Sequence, residues 1–463
     1  MVIPESTRKD SRQSWVYLSF VSVITFFVFG FLDSYGVLLV FLVQHFKEKN
    51  SKAAWVGSSA MFGCFFLYPI SLRMRYKYGI RKTVLCAGAL LVLVFILSPM
   101  VPNMALLFLT FSVPMAIACS ILSCATFTTI RECFEKHEGV AFGIKSSMNA
   151  LGTVLFSVFL PILLTKLDWQ RTFLILIGIS FITFLYALMY NDAGTTEDYR
   201  SERICSVSTV ISLPTKEFSK NDLKIYWKLL KNKKLLVFLL AHTVFTIVVF
   251  MPPIFMVQFA TNLGHHLSKS KWLMIVRGIV AVVVRSIAGR LGDVAQRRRK
   301  VRYLMLIVMI LFSIATILCA FTKSFTWMMV YMSFVSLVDS IYWVVIPLHV
   351  SEVTDKSYSE HAFALFSCAG SFATLGGPPF LGWIYDTTGD SSPVMQTASA
   401  ISAIAACLIA LRLYVAKDND PMSVVISEEL VSNDDNVFID EDFTTSTTVV
   451  YMTQHNMQYV TVV

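Results

Sequence analysis

The chain has 463 residues, of which 56% are hydrophobic and 15% charged, with a formal net charge of +9 and a mean hydropathy of +0.65. Soluble domains carry about a quarter charged residues, so this composition excludes an ordinary soluble protein. The positive balance sits beside apolar blocks and points to an anionic membrane surface, not to nucleic acid.

Residues 1–14, MVIPESTRKDSRQS, are polar and read as a cytoplasmic N-terminus; the apolar run that follows is too long for a cleaved signal. Twelve apolar blocks follow, near 15–43, 53–72, 83–101, 104–130, 140–164, 172–190, 235–260, 272–290, 303–321, 327–350, 361–384 and 393–415. Each approaches the roughly 20 residues that cross a bilayer core as a helix. The charged run RECFEKHEG separates the fourth block from the fifth. Strands of a membrane barrel alternate over shorter segments, so the expected fold is all-α, with twelve transmembrane helices.

The blocks divide six and six. Residues 15–190 form a predicted N-terminal six-helix bundle, and 235–415 a C-terminal one. Between them, 191–234 is a polar linker whose second half, NDLKIYWKLLKNKKL, reads either as a basic amphipathic helix on the membrane surface or as a solvated spacer. Residues 416–463 carry nine acidic residues against one Lys and no helical period, and read as an acidic disordered tail. Thr461 before Val463 fits a PDZ-domain ligand, a short match. The basic runs RMRYKYGIRK and RRRKVR fall on one side together with both termini, which predicts cytoplasmic termini and a multi-pass protein of the plasma membrane. Of the nine Cys, seven lie in apolar blocks, so no disulfide framework is expected. No metal-ligand spacing and no nucleophile–base pair appears, so neither an enzyme nor a cofactor is expected.

A charge inside the hydrocarbon region costs about 2.5–3.5 kcal/mol on insertion scales, and one that persists usually has a partner or a task. Asp33, in FGFLDSYGVLLVFL, lies roughly 27 Å along the helix from Trp15 and 15 Å from Val43, too deep to reach an interface. Asp339, in SLVDSIYWVV, is equally central, and Arg285, in VVVRSIAGR, lies inside the eighth block. These three are the principal site candidates, against a plain interhelical salt bridge as the alternative. Lys145 either extends its stem to the surface or turns inward to a carboxylate. Arg277 is assigned to snorkelling near the outer end of its helix, and Arg412 to an interfacial anchor. His242 and His349 read as packing residues. Gly376, Gly377, Pro378 and Pro379 are expected to break the eleventh helix and let its parts move.

The second block of each half ends in a short turn and clustered cations, YPISLRMRYKYGIRK and RSIAGRLGDVAQRRRK. That repeated signature resembles the major facilitator superfamily, with Gly289 and Asp293 fitting its loop pattern in the second half and the corresponding Asp missing in the first. The resemblance implies two pseudo-symmetric bundles rocking about a midplane site.

The likeness narrows further along the chain. CFEKHEGVAFG resembles the monocarboxylate transporter signature through Phe134, Lys136, Ala141 and Gly143; DWQRTFLILIG keeps Trp169 and Phe173; GGPPFLGWIYDTTGD matches the end of that family's eleventh helix. Of its N-terminal motif only Asp10 and Trp15 remain. The resemblance implies that Arg285 stands where the lactate carriers hold a carboxylate. Their first-helix lysine falls at Asp33, and the acid four residues before the arginine falls at Ala281. It also implies a small organic acid as substrate and a single-span glycoprotein as accessory partner. Asp33 and Asp339 are then proton-coupling candidates. Alternatively Asp33 stays ionised and holds a cationic group while Arg285 takes a carboxylate, which suits a zwitterion such as an amino acid or a creatine-like compound. A non-transporting scaffold acting through the tail is the third reading.

Overall fold

The computed structural model describes residues 9–48, 50–167, 169–188, 218–265, 267–322, 324–354, 358–415, 447–453 and 456–462. The first residues of the N-terminus, the linker over 191–217 and the tail over 416–446 lie outside them. The chain divides into a unit spanning Met1–Arg412 and a small unit spanning Leu413–Val463.

Every apolar block falls on a helix or a broken pair of helices. The first block is interrupted twice: α1 (Arg12–Ile24) runs through a π-turn (Thr25–Phe29) into α2 (Gly30–Asp33), and α3 (Tyr35–Phe46) restarts beyond Ser34. The second is α4 (Asn50–Phe66) and α5 (Tyr68–Tyr78), bent by 52° where Pro69 forbids a regular helical bond. There follow α6 (Ile80–Leu97), α7 (Met104–Leu107) joined by a π-turn to α8 (Val113–Cys133), α9 (Glu138–Lys166) and α10 (Trp169–Leu188). The linker contributes α11 (Phe218–Lys231). The second half is α12 (Lys233–Val249), α13 (Met251–Asn262), α14 (Leu267–Arg297), α15 (Val301–Ala320), α16 (Phe325–Val353), α17 (Ser359–Thr388) and α18 (Ser391–Val415).

Among the described residues, nine helices are long and apolar enough to cross a membrane alone, and two bent pairs raise this to as many as eleven. The one expected span outside that set is α17, whose apolar residues are diluted by Gly, Ser and Thr. Large apolar side chains such as Phe181, Ile287 and Leu318 are exposed, as on a helix bundle whose solvent is lipid. Within the halves, α8 and α16 are the most enclosed helices. The halves meet where α9 crosses α14 and where α4 and α5 meet α17.

Two expectations are corrected. The run Gly376–Pro379 does not break its helix, because α17 is continuous from Ser359 to Thr388. A Cβ on Gly377 would lie 2.5 Å from the Ile247 carbonyl oxygen, so this glycine serves a close helix crossing. In the tail, β1 (Thr447–Thr453) and β2 (Asn456–Val462) pair antiparallel, with Thr448 opposite Thr461, so residues expected to lack regular structure form a ribbon. Thr461, the PDZ-like residue, belongs to that ribbon.

Candidate functional site

Asp33 is placed by a close approach of two backbones. A Cβ on Gly30 would sit 2.7 Å from the Gly152 Cα, so only glycine lets α2 lie against α9 here. The helix then stops at Ser34, whose hydroxyl donates to the Phe31 carbonyl at 2.8 Å. The stop leaves Asp33 exposed although it lies deep in the span. Its carboxylate accepts a hydrogen bond from Asn149 Nδ2 at 2.8 Å and is also hydrogen-bonded by the Thr153 side chain, and its electrostatic neighbours are Arg285, Arg277 and Asp339 of the other half. Asp33 is thus an exposed carboxylate that faces charges of the opposite half.

On the facing side, α14 and α16 bring three charges together. Asp339 is 2% exposed, and its Oδ2 accepts from Arg277 Nη2 at 2.9 Å. Arg285 Nη2 stands 4.0 Å from the same oxygen, and its Nη1 donates to the Ser146 carbonyl at 3.2 Å. Ser336 Oγ donates to the Arg277 carbonyl at 2.7 Å and pins the two helices at this level. Asp339 Oδ1, Arg277 Nε and Arg285 Nε are buried without a hydrogen-bond partner among the described residues. Two guanidiniums therefore share one carboxylate and retain unused donors.

Arg277 is the main correction to the sequence reading: it turns inward to Asp339 instead of extending to the interface. Lys145 is half-buried on α9 and, like Asp33, is an electrostatic neighbour of Cys64 on α4, so it faces the interior of its own half. Asp33 and Arg285 face each other without forming an ion pair. Asn149, which sequence reasoning missed, is the direct partner of Asp33; an uncharged amide carries no insertion penalty to draw attention to it. His242 bonds the Tyr342 hydroxyl and stacks on Phe366 at 3.5 Å, while His349 is fully buried against Phe238 at 4.2 Å, both as packing residues.

Most of the motif residues gather elsewhere, at the end of the spans that carries the basic runs, hereafter the basic end. Asp293 of α14 accepts from the Gly139 and Val140 amides at 2.5 and 3.1 Å, across the two halves. A Cβ on Gly143 would lie 2.7 Å from the Arg285 carbonyl and 3.0 Å from the Gly289 Cα, so both glycines belong to one crossing. Ala141 is fully buried beside it. Asp10 accepts from the amides of Glu135, Lys136 and His137 at 3.3, 2.9 and 3.2 Å, and Trp15 packs edge-on against Phe134 at 5.1 Å. The two survivors of the N-terminal motif thus hold the loop that carries the α9 motif. Trp169 is at the opposite end, against Phe173 at 5.0 Å.

The family model described as Major Facilitator Superfamily matches residues 19–303 and 254–431. Monocarboxylate transporter 2 of Meriones unguiculatus is 23% identical over 411 residues, covering 87% of this chain and 84% of that protein. Monocarboxylate transporter 12 of Xenopus laevis is 22% identical, covering 92% and 94%. Among solved structures, the transporter FucP in its outward conformation aligns with a TM-score of 0.67 at 14% identity, over 87% of this chain and 99% of its own. The proton:xylose symporter XylE aligns with a TM-score of 0.63 at 13% identity, over 86% and 95%. These likenesses are to transporters and not to enzymes, and the chain belongs to the major facilitator superfamily as a divergent relative of its monocarboxylate transporters.

Proposed function

We propose that this secondary transporter moves a small carboxylate-bearing solute across the plasma membrane by alternating access, with the basic end and both termini cytoplasmic. The observation that carries the reading is the surplus of guanidinium over carboxylate in the second half. Among the described residues, Arg277 and Arg285 share Asp339 as their one ion-pair partner. Arg285, the less tightly held, keeps donors for a planar carboxylate taken bidentately. Within that half, two guanidiniums against one carboxylate leave a balance that accepts one added negative charge.

Asp33 decides how transport is coupled. Its hydrogen bonds to the neutral side chains of Asn149 and Thr153, with no ion pair of its own among the described residues, and its exposure suit a group that takes a proton from the outer bath and passes it on. The same openness supports the second reading, in which Asp33 holds the ammonium or guanidinium of a zwitterion while Arg285 holds its carboxylate. A single-span accessory glycoprotein is carried over from the resemblance alone.

An uptake screen of lactate, pyruvate, amino acids and creatine-like compounds tests both. Arg285→Lys keeps the charge and removes the bidentate fork, and is expected to abolish uptake of the accepted solute while the protein still reaches the membrane. Undiminished uptake in that variant overturns the carboxylate assignment. Asp33→Asn is expected to remove the stimulation of monocarboxylate uptake by an acidic bath. If the bath pH has no effect in the unmodified protein and a zwitterion is the accepted solute, the second reading replaces the first.

A further inference from the structure

The linker helix α11 makes a contact that substrate binding does not use. It turns by 86° from the span that follows it, so it runs across the bundle end instead of through the membrane. Its Tyr226 packs on His361 of α17 at 5.5 Å, and Tyr76 of α5 stacks on the same imidazole at 5.8 Å. The Tyr76 hydroxyl bonds Glu360, and Arg75 stands 3.5 Å from that carboxylate. Tyr226 also packs against a core shared by both halves, Tyr68, Leu72 and Cys124 from one and Ala364 from the other. The linker is thus a third body in the closure of the basic end.

Leu229 is buried as well, and the exposed residues among 224–231 are patterned. Trp227 is 64% exposed, and Leu230, Lys224, Lys228 and Lys231 are exposed with it. At roughly 100° per residue, Leu230 and Trp227 follow Tyr226 around the helix, and the three lysines come next. An apolar flank between the bundle contact and a cationic flank is the layout of a helix seated at the boundary of acyl chains and headgroups.

We propose that α11 docks on anionic lipid headgroups of the adjoining leaflet and, seated there, holds the basic end of the two halves closed through Tyr226. The lysines supply charge complementarity to the lipid, and Trp227 enters the boundary layer. The inference is independent of the solute carried.

The full chain is reconstituted in vesicles of phosphatidylcholine with brominated acyl chains, with or without phosphatidylserine. The Trp227 signal is the fluorescence difference between the unmodified protein and Trp227→Phe. Bromine quenching of that signal is expected to rise with phosphatidylserine and to fall to the phosphatidylcholine level when Lys224, Lys228 and Lys231 are all replaced by Gln, a change at exposed positions that leaves folding intact. Hydrogen exchange over 71–78 and 359–366 is expected to slow severalfold with phosphatidylserine, and Tyr226→Ala to remove that difference. The proposal is overturned if quenching is equal in the two lipids, if the lysine substitutions leave it unchanged, or if exchange at the basic end ignores the lipid. Protection of Trp227 by an added acidic soluble protein, with no quenching from lipid, overturns it in favour of a protein partner.

Discussion

At the scale of single residues, the second half holds its buried carboxylate with two arginines, and the nearer one was hidden from the sequence. Arg277 lies close enough to a helix end to reach water, and position along one helix does not reveal which face meets a neighbour. Only the crossing of α14 with α16 brings it to 2.9 Å from Asp339. The acid missing at Ala281 is in effect supplied from α16, since Asp339 also stands 4.0 Å from Arg285. Asp33, Asp339 and Arg285 were legible for a plain reason: a charge in lipid is costly, so its presence is a signal. Removing one partner of a buried pair leaves the other uncompensated, typically about 3–5 kcal/mol. Asp339→Asn is therefore expected to lower the melting temperature of the purified protein sharply. Arg277→Gln alone should cost less, because that side chain is 21% exposed and can find water. The double variant is expected to be more stable than the sum of the two, and a purely additive cycle in thermal melts would show that the pair is not coupled.

Among elements, the block pattern located the helices, whereas the interruptions inside them came from signals of unequal clarity. Pro69 marks the bend of the second span, and Pro252 and Pro253 follow the interruption of the seventh between Val249 and Met251, because proline removes a backbone donor. The glycines and prolines at 376–379 give the same signal, yet α17 runs through them, since packing against Ile247 supports the helix there. The stop at Ser34 has no such mark, although it is what exposes Asp33. What the sequence does carry is Gly30, whose importance appears only when α9 is laid beside it. Gly30→Ala is expected to destabilise by about 1–3 kcal/mol through overpacking and to weaken the Asp33–Asn149 bond. Gly36, with nothing within 4 Å of a built Cβ, is the control. Gly36→Ala is expected to be neutral or to stabilise by about 0.5–1 kcal/mol through helix propensity. Thermal melts of the two variants in detergent check this, and equal effects would remove the close approach as the explanation.

For the whole molecule, the six-plus-six division was readable from block lengths and the linker, but the state of the bundles was not, because alternating access leaves each helix intact and changes only contacts between halves. Those contacts are partitioned along one loop. Asp10, from the same half as the loop, takes the amides of Glu135, Lys136 and His137. Asp293, from the other half, takes the next pair, Gly139 and Val140. Rocking of the halves about the central site must break the second set and can leave the first untouched. Amide exchange in a cycling transporter is therefore expected to rise at 139–140 with 135–137 still protected. Asp293→Asn, which trades half of the acceptor for a donor facing two N–H groups, should raise exchange at the same two amides without a driving solute. Asp10→Asn should do the reverse, exposing 135–137 and sparing 139–140. Mass spectrometry of peptides divided near residue 138 separates the two sets. If both respond together in every variant, the loop moves as one piece, and opening at the basic end is not a separation of rigid halves.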